Sequence, residues 1–244
     1  MDLCSIHALS FSVHFNSICC MLFTFTYVTQ NITIRLETVT FALMYYINFT
    51  EGAAALNVLV HLMFAYHVRK IIKKDIGIKL NLLGYMVGNV LPDIRARFNS
   101  QPHYIDASLK YVVKSSQRLI NNDERLSRDS YQFSKRMGII NHYLSDFFCY
   151  PHQAYYNEGL RRHMTYEFKM LAKYRRGLRR AKRDLIFYPK GLIPEDFESW
   201  ILRRNRSYRG QQISCATDVS HAIHAGSTIG RSLNLHMKLS PQDT

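Results

Sequence analysis

The chain has 244 residues, 47% hydrophobic and 20% charged, a composition that fits a globular domain and excludes bulk disorder. Thirty-two Lys and Arg against 18 Asp and Glu give a net charge of +14 at pH 7, which favours anionic partners: phosphoesters, nucleic acid or an acidic membrane surface. Six Pro and 11 Gly exclude collagen-like, low-complexity and Pro-rich linker classes.

The charge is unevenly placed. Residues 1–55 carry one basic residue (Arg35) and three acidic ones (Asp2, Glu37, Glu51), leaving 31 basic and 15 acidic residues for 56–244. Within the first part Ala8–Thr29 is the best membrane candidate, but His14, Asn16 and three Ser interrupt it. It lacks the basic start and small-residue cleavage site of a signal peptide, so secretion is not supported, and it is marginal as a spanning helix. The favoured reading is an extension upstream of the true start. In a bacterial source Glu51-Gly52-Ala53 can be encoded with a GGAG ribosome-binding core, and Leu56 can be a TTG start codon. Residues 1–55 found by mass spectrometry of natively expressed protein would refute that reading.

The remainder, 56–244, reads as helices. Val58–Lys74 carries an apolar stripe at Val58, Leu62, Ala65, Val68, Ile71 and Ile72 and ends in a basic turn. Gly84–Pro92 reads as a loop from its Gly, Asn and Pro content. Ile105–Leu119 repeats the helical pattern, Asn121–Ser130 is a second loop, and Phe133–Cys149 is a helix with Met137, Ile140, Leu144 and Phe147 on one stripe. Leu160–Lys182 is a long basic helix, and Asp196–Asn205 and Ile213–Ser232 are the last two. The expected class is all-α, a multi-helix bundle.

Five residues suggest a metal site in its core. His142 and Asp146 are spaced i,i+4, as are His163 and Glu167, and His152 follows Pro151 between the two pairs. At that spacing side chains stand one above the other on a helix face, so each pair can bind one ion or bridge two. Asp93 follows Pro92 and His103 follows Pro102, positions that read as loop-to-helix junctions. A single i,i+4 pair can merely stabilise its helix, by ~0.2–0.5 kcal/mol. Two pairs with three more metal-type residues near Pro-marked turns favour metal, and His142, Asp146 and His152 are embedded among Ile139, Ile140, Leu144, Phe147 and Phe148, where an unpaired polar cluster is costly.

In order and spacing, Asp93, His103, His142-x3-Asp146-x5-His152 and His163-x3-Glu167 resemble the zinc-dependent phospholipase C family, of the bacterial phosphatidylcholine-hydrolysing and alpha-toxin type. LLGYMVGNVLPD at Leu82–Asp93 and GIINHYLSDFFCYPH at Gly138–His152 look like its small Firmicutes branch. The resemblance covers about residues 57–170. It implies one zinc held by Asp93, His103, His142 and Asp146, and a second held by His152, His163 and Glu167. His61 matches the family's early histidine, which with Asp146 holds a third zinc; His67, two turns along, is a competitor. Asp93 also matches the carboxylate proposed as general base. In secreted members an N-terminal Trp completes the third site, whereas the only Trp here is Trp200. A chain starting at Leu56 would place a free terminus close to His61. The resemblance leaves Asn89 and Glu158 without an assigned role.

The implied activity is phosphodiester hydrolysis of the phospholipase C kind at a phospholipid. The basic run from Arg161 to Arg183 adds docking to an anionic membrane surface, next to its plainer reading as a solvated helix face. Two alternatives stand beside it: a single-strand nuclease or nucleotidase of the same fold, which would make nucleic acid a partner, and a non-catalytic zinc-binding protein at the membrane surface. The expected location is cytoplasmic or membrane-surface. Cys149 reads as a buried hydrophobe, and His221, His224 and His236 as bystanders.

Overall fold

The computed structural model describes residues 52–94, 101–122, 126–185, 192 and 194–237. Apart from its last four residues, the proposed extension lies outside them. The described residues are all-α and belong to one compact unit. Seven α-helices are found among them: α1 (Gly52–Ile76), α2 (Leu82–Ile94), α3 (Ile105–Asn121), α4 (Tyr131–Asp146), α5 (Gly159–Leu185), α6 (Phe197–Arg209) and α7 (Cys215–His236). Short 3-10 turns at Tyr150–His152 and Pro194–Asp196 precede α5 and α6. No described helix is long and apolar enough to cross a membrane.

Helices α4 and α7 are the inner members of the bundle. Every residue from Met137 to Asp146 is buried, and so is every residue from Thr217 to Asn234. Both helices start on a capping serine: Ser130 Oγ accepts from Phe133 N at 3.1 Å, and Ser214 Oγ from Thr217 N at 3.1 Å. Helix α2 packs on α4, α5 on α7, and α1 touches α2, α4, α5 and α7. The remaining helices present one face. On α5, Met170, Tyr174 and Ala181 are buried, while the opposite side is exposed.

Two expectations are corrected. Gly84–Pro92 is not a loop but the body of α2. Its glycines serve packing, not turning. A Cβ on Gly88 would run into the Lys135 carbonyl, and a Cβ on Gly138 would meet the Tyr85 carbonyl and lie 2.9 Å from the Gly88 Cα. Gly88 and Gly138 therefore let the backbones of α2 and α4 touch. Asp93 accordingly sits in the last turn of a helix. The second correction concerns α4, which ends at Asp146 and not at Cys149. Phe148 and Cys149 make tighter i,i−3 bonds to Ser145 O (3.2 Å) and Asp146 O (3.0 Å), and the chain then turns at Pro151. Cys149 is buried, but in that turn.

Candidate metal centre

Six segments bring the eight predicted side chains to one place. His61 comes from the middle of α1 and Asp93 from the end of α2. His103 lies in the bend before α3, His142 and Asp146 on the last turns of α4, His152 in the 3-10 turn, and His163 and Glu167 on the first turns of α5. Three groups each offer donor atoms within 4.8 Å of one another: His61, Asp93 and His142; His103, Asp146 and His152; His152, His163 and Glu167. The third is the set expected for the second zinc. The first two divide the expected first and third sets differently, and the pairwise distances are compatible with both partitions.

Asp146 is the centre of the arrangement. Its Oδ2 lies 2.9 Å from His103 Nδ1 and 3.1 Å from His142 Nε2, and its Oδ1 lies 3.3 Å from His61 Nε2 and 3.8 Å from His152 Nε2. Asp93 lies 3.5 Å from His142 Nε2, 3.7 Å from His103 Nδ1 and 3.8 Å from His61 Nε2. His163 Nε2 is 2.8 Å from Glu167 Oε1. Two carboxylate oxygens, Asp93 Oδ2 and Asp146 Oδ2, are buried without an aligned hydrogen bond. Unaligned lone pairs facing ring nitrogens suit a cation better than a proton network, because buried polar atoms are otherwise paired. Imidazole nitrogen with carboxylate oxygen is also the donor set of zinc. The residues fit the metal.

The electrostatics follow from this crowding. Burial opposes the charge on Asp146, but His142, His152 and His61 outweigh it and hold the carboxyl well below its usual range. Burial likewise opposes protonation of His61 and His103, yet Asp146, with help from Asp93, raises both. At His152 burial prevails and lowers the pKa to about 4. At Glu167 burial prevails over His163 and raises the carboxyl.

Supporting contacts orient the rings. Asn89 O accepts from His142 Nδ1 at 2.8 Å, which leaves Nε2 facing Asp146 and Asp93. Asn89 is itself fixed, donating from Nδ2 to Tyr85 O at 2.8 Å and accepting from Asn141 Nδ2 at 2.6 Å. The close approach of Gly88 and Gly138 makes this reach possible. Ser145 Oγ lies 3.4 Å from His61 Nδ1. Asn89 and Ser145 have no local signature as supports, since their partners are 53 and 84 residues away. Glu158 takes no part, accepting instead from Tyr150 OH (3.1 Å) and Arg162 (3.4 Å). His67 stands apart from the cluster, bonded to Met63 O at 3.0 Å and packed on Tyr174. His221 and His224 lie against Phe148 and Trp200.

In this all-helical bundle five histidines and three carboxylates converge in the interior, the donor set of a metal site. The chain belongs to the zinc dependent phospholipase C family, whose pattern matches residues 60–215, more than half of its length. The match spans all eight converging residues. No curated protein and no solved structure matches the chain.

Proposed function

We propose that the chain is a zinc-dependent phosphodiester hydrolase that cleaves phospholipids between glycerol and phosphate. Family membership supports a metal-dependent, phospholipase-like function. The observation that favours catalysis at this centre is the convergence of Asp93 with the seven other side chains. Asp93, His103, His142 and Asp146 would hold one zinc, and His152, His163 and Glu167 a second; His61 with Asp146 would form the incomplete third position. When bound, zinc supplies a Lewis acid that neutralises phosphate oxygens and makes water nucleophilic near neutral pH. Asp93, 13% exposed and therefore reachable from solvent, orients the water and takes its proton. The water oxygen bonds to phosphorus as the bond from phosphorus to the glycerol oxygen breaks, and a proton passes to that glycerol oxygen, leaving diacylglycerol and a phosphorylated head group.

The outward side of α5 supports an anionic surface as the place of work. Arg161, Lys169, Arg175, Arg176, Arg179 and Arg183 are all exposed there. Glu167, the single carboxylate between Gly159 and Arg183, is buried on the opposite side. Phe168, 53% exposed, lies among these cations.

The test is chelator-sensitive hydrolysis of p-nitrophenyl phosphorylcholine, run beside single-stranded DNA. Hydrolysis of the choline ester alone is expected. Cleavage of DNA alone would make the chain a nuclease, and bound zinc with neither activity would make it a non-catalytic binding protein. Asp93→Asn should lower turnover by roughly 10²–10⁴-fold while most of the zinc stays bound; wild-type turnover would remove Asp93 as the base.

A further inference from the structure

Asp218, in the first turn of α7, lies beyond the residues the family pattern matches and is 1% exposed. Its two oxygens take donors from three other segments. Oδ2 accepts from the Tyr150 backbone N at 3.0 Å and from Tyr166 OH at 2.8 Å, and Oδ1 accepts from Tyr208 OH at 2.9 Å. Tyr150 opens the turn that ends in His152, and Tyr166 immediately precedes Glu167. One buried carboxylate thus joins the two segments that carry His152, His163 and Glu167.

The turn needs such a tie. Between the end of α4 and His152 the backbone leaves regular structure, and side chains satisfy several of its polar groups. Gln153 Nε2 donates to Phe147 O (3.1 Å) and Cys149 O (3.0 Å), and Asn205 Nδ2 donates to Phe147 O at 2.5 Å. Asp218 supplies the acceptor for Tyr150 N, and the same Oδ2 holds Tyr166. Both oxygens are engaged by these three donors, so Asp218 acts on the metal centre through its neighbours.

We propose that Asp218 is a positioning residue that sets the separation of His152 from the His163–Glu167 pair, and thereby the affinity of the metal position those three residues form. The proposal rests on the ligand assignment above. Removing a carboxylate that orients a ligand segment typically weakens metal affinity by roughly 10–100-fold.

The experiment measures zinc retained per full-length chain against graded chelator, together with thermal unfolding. Asp218→Ala should lose one zinc at chelator concentrations roughly 10–100-fold lower than wild type, the remaining zinc being held as before. Asp218→Asn keeps an oxygen for Tyr150 N and Tyr166 OH and offers an amide to Tyr208 OH, so it should restore retention. Tyr166→Phe should weaken the same zinc. Tyr208→Phe, which frees only α6, should lower the unfolding temperature and leave retention unchanged. If Asp218→Ala does not fold, Tyr166→Phe and Tyr208→Phe decide between the outcomes. Retention that tracks unfolding temperature across all variants, or weakens every zinc alike, would overturn the positioning role. A wild-type chain that binds no zinc would instead refute the ligand assignment.

Discussion

Two groups of buried histidines sit in this bundle, and their settings are opposite. His61 and His142, at the ends of α1's first half and of α4, are 4% and 0% exposed; His221 and His224 on α7 are also 4% and 0% exposed. Burial therefore does not tell them apart. Around the first pair stand Asp93 and Asp146, and His61 is raised despite burial. Around the second pair the charged neighbours are arginines. Burial and then Arg204 lower His221 and His224 to about 3 each. Their rings pack on Phe148 and Trp200. Converging carboxylates, not histidine count or depth, make a metal centre. The second pair behaves as neutral aromatic filling.

The largest effect should come from breaking the first group. His142→Ala removes the ring that faces both Asp93 and Asp146 and leaves two carboxylates crowded in the interior. A buried partner lost in this way costs about 3–5 kcal/mol. Metal analysis should show zinc lost, and denaturant unfolding should show the lower stability. Full zinc retention would remove His142 from the ligands. A smaller effect is expected from the backbone that supports it. Gly138→Ala places a methyl against the Tyr85 carbonyl and beside Gly88, where neither backbone can give way easily. Overpacking of this kind costs about 1–3 kcal/mol. Because α2 must move, Asn89 should lose its 2.8 Å contact with His142, so zinc affinity should fall with stability. Unchanged affinity would uncouple the helix crossing from the site.

Much of this centre is legible in the chain, for a physical reason. His142 with Asp146, and His163 with Glu167, are local pairs, and helical periodicity alone puts each on one face. The apolar stripe of α1 and the basic run of α5 announce their helices in the same way. What is not legible depends on a distant partner. The glycines of α2 signal a turn when read locally, because only the facing α4 backbone, at Tyr131 for Gly84 and at Lys135 and Gly138 for Gly88, shows them to be contact points. Asn89 and Asp218 have unremarkable neighbours in sequence, and their roles exist only through residues 53 to 68 positions away.

The second histidine group should be visible through pH. His224 in the folded chain is lowered to about 3, against 6.5 in the unfolded chain. Between those values the unfolded state binds more protons, so stability falls as pH drops from 6.5 towards 3. One such histidine contributes about 1.4 kcal/mol per pH unit, or about 2 kcal/mol by pH 5. His224→Phe keeps a ring against Trp200 but cannot titrate. Its stability should decline less steeply on acidification than that of wild type. Equal slopes would mean that His224 charges freely in the folded state, and the contrast with the metal centre would weaken.

The smallest effect on stability belongs to the outward side of α5, and it completes the contrast, since beyond the Arg162–Glu158 pair its exposed cations face water. Arg175 and Arg179 are exposed and one turn apart. Replacing both with Gln removes like-charge neighbours and touches nothing buried, so stability should change by less than about 0.5 kcal/mol per residue. Binding to anionic membranes should respond far more, by about 1 kcal/mol for each cation near the surface. Co-sedimentation with vesicles of phosphatidylcholine and phosphatidylglycerol should therefore weaken by roughly fivefold per substitution, with a steep dependence on salt. Phe168→Ala, which removes an apolar side chain from the same face, should weaken binding at high salt as well, where the charges are screened. If the wild-type chain fails to sediment with such vesicles, these cations are a solvated face alone, and α5 serves the centre only through His163 and Glu167.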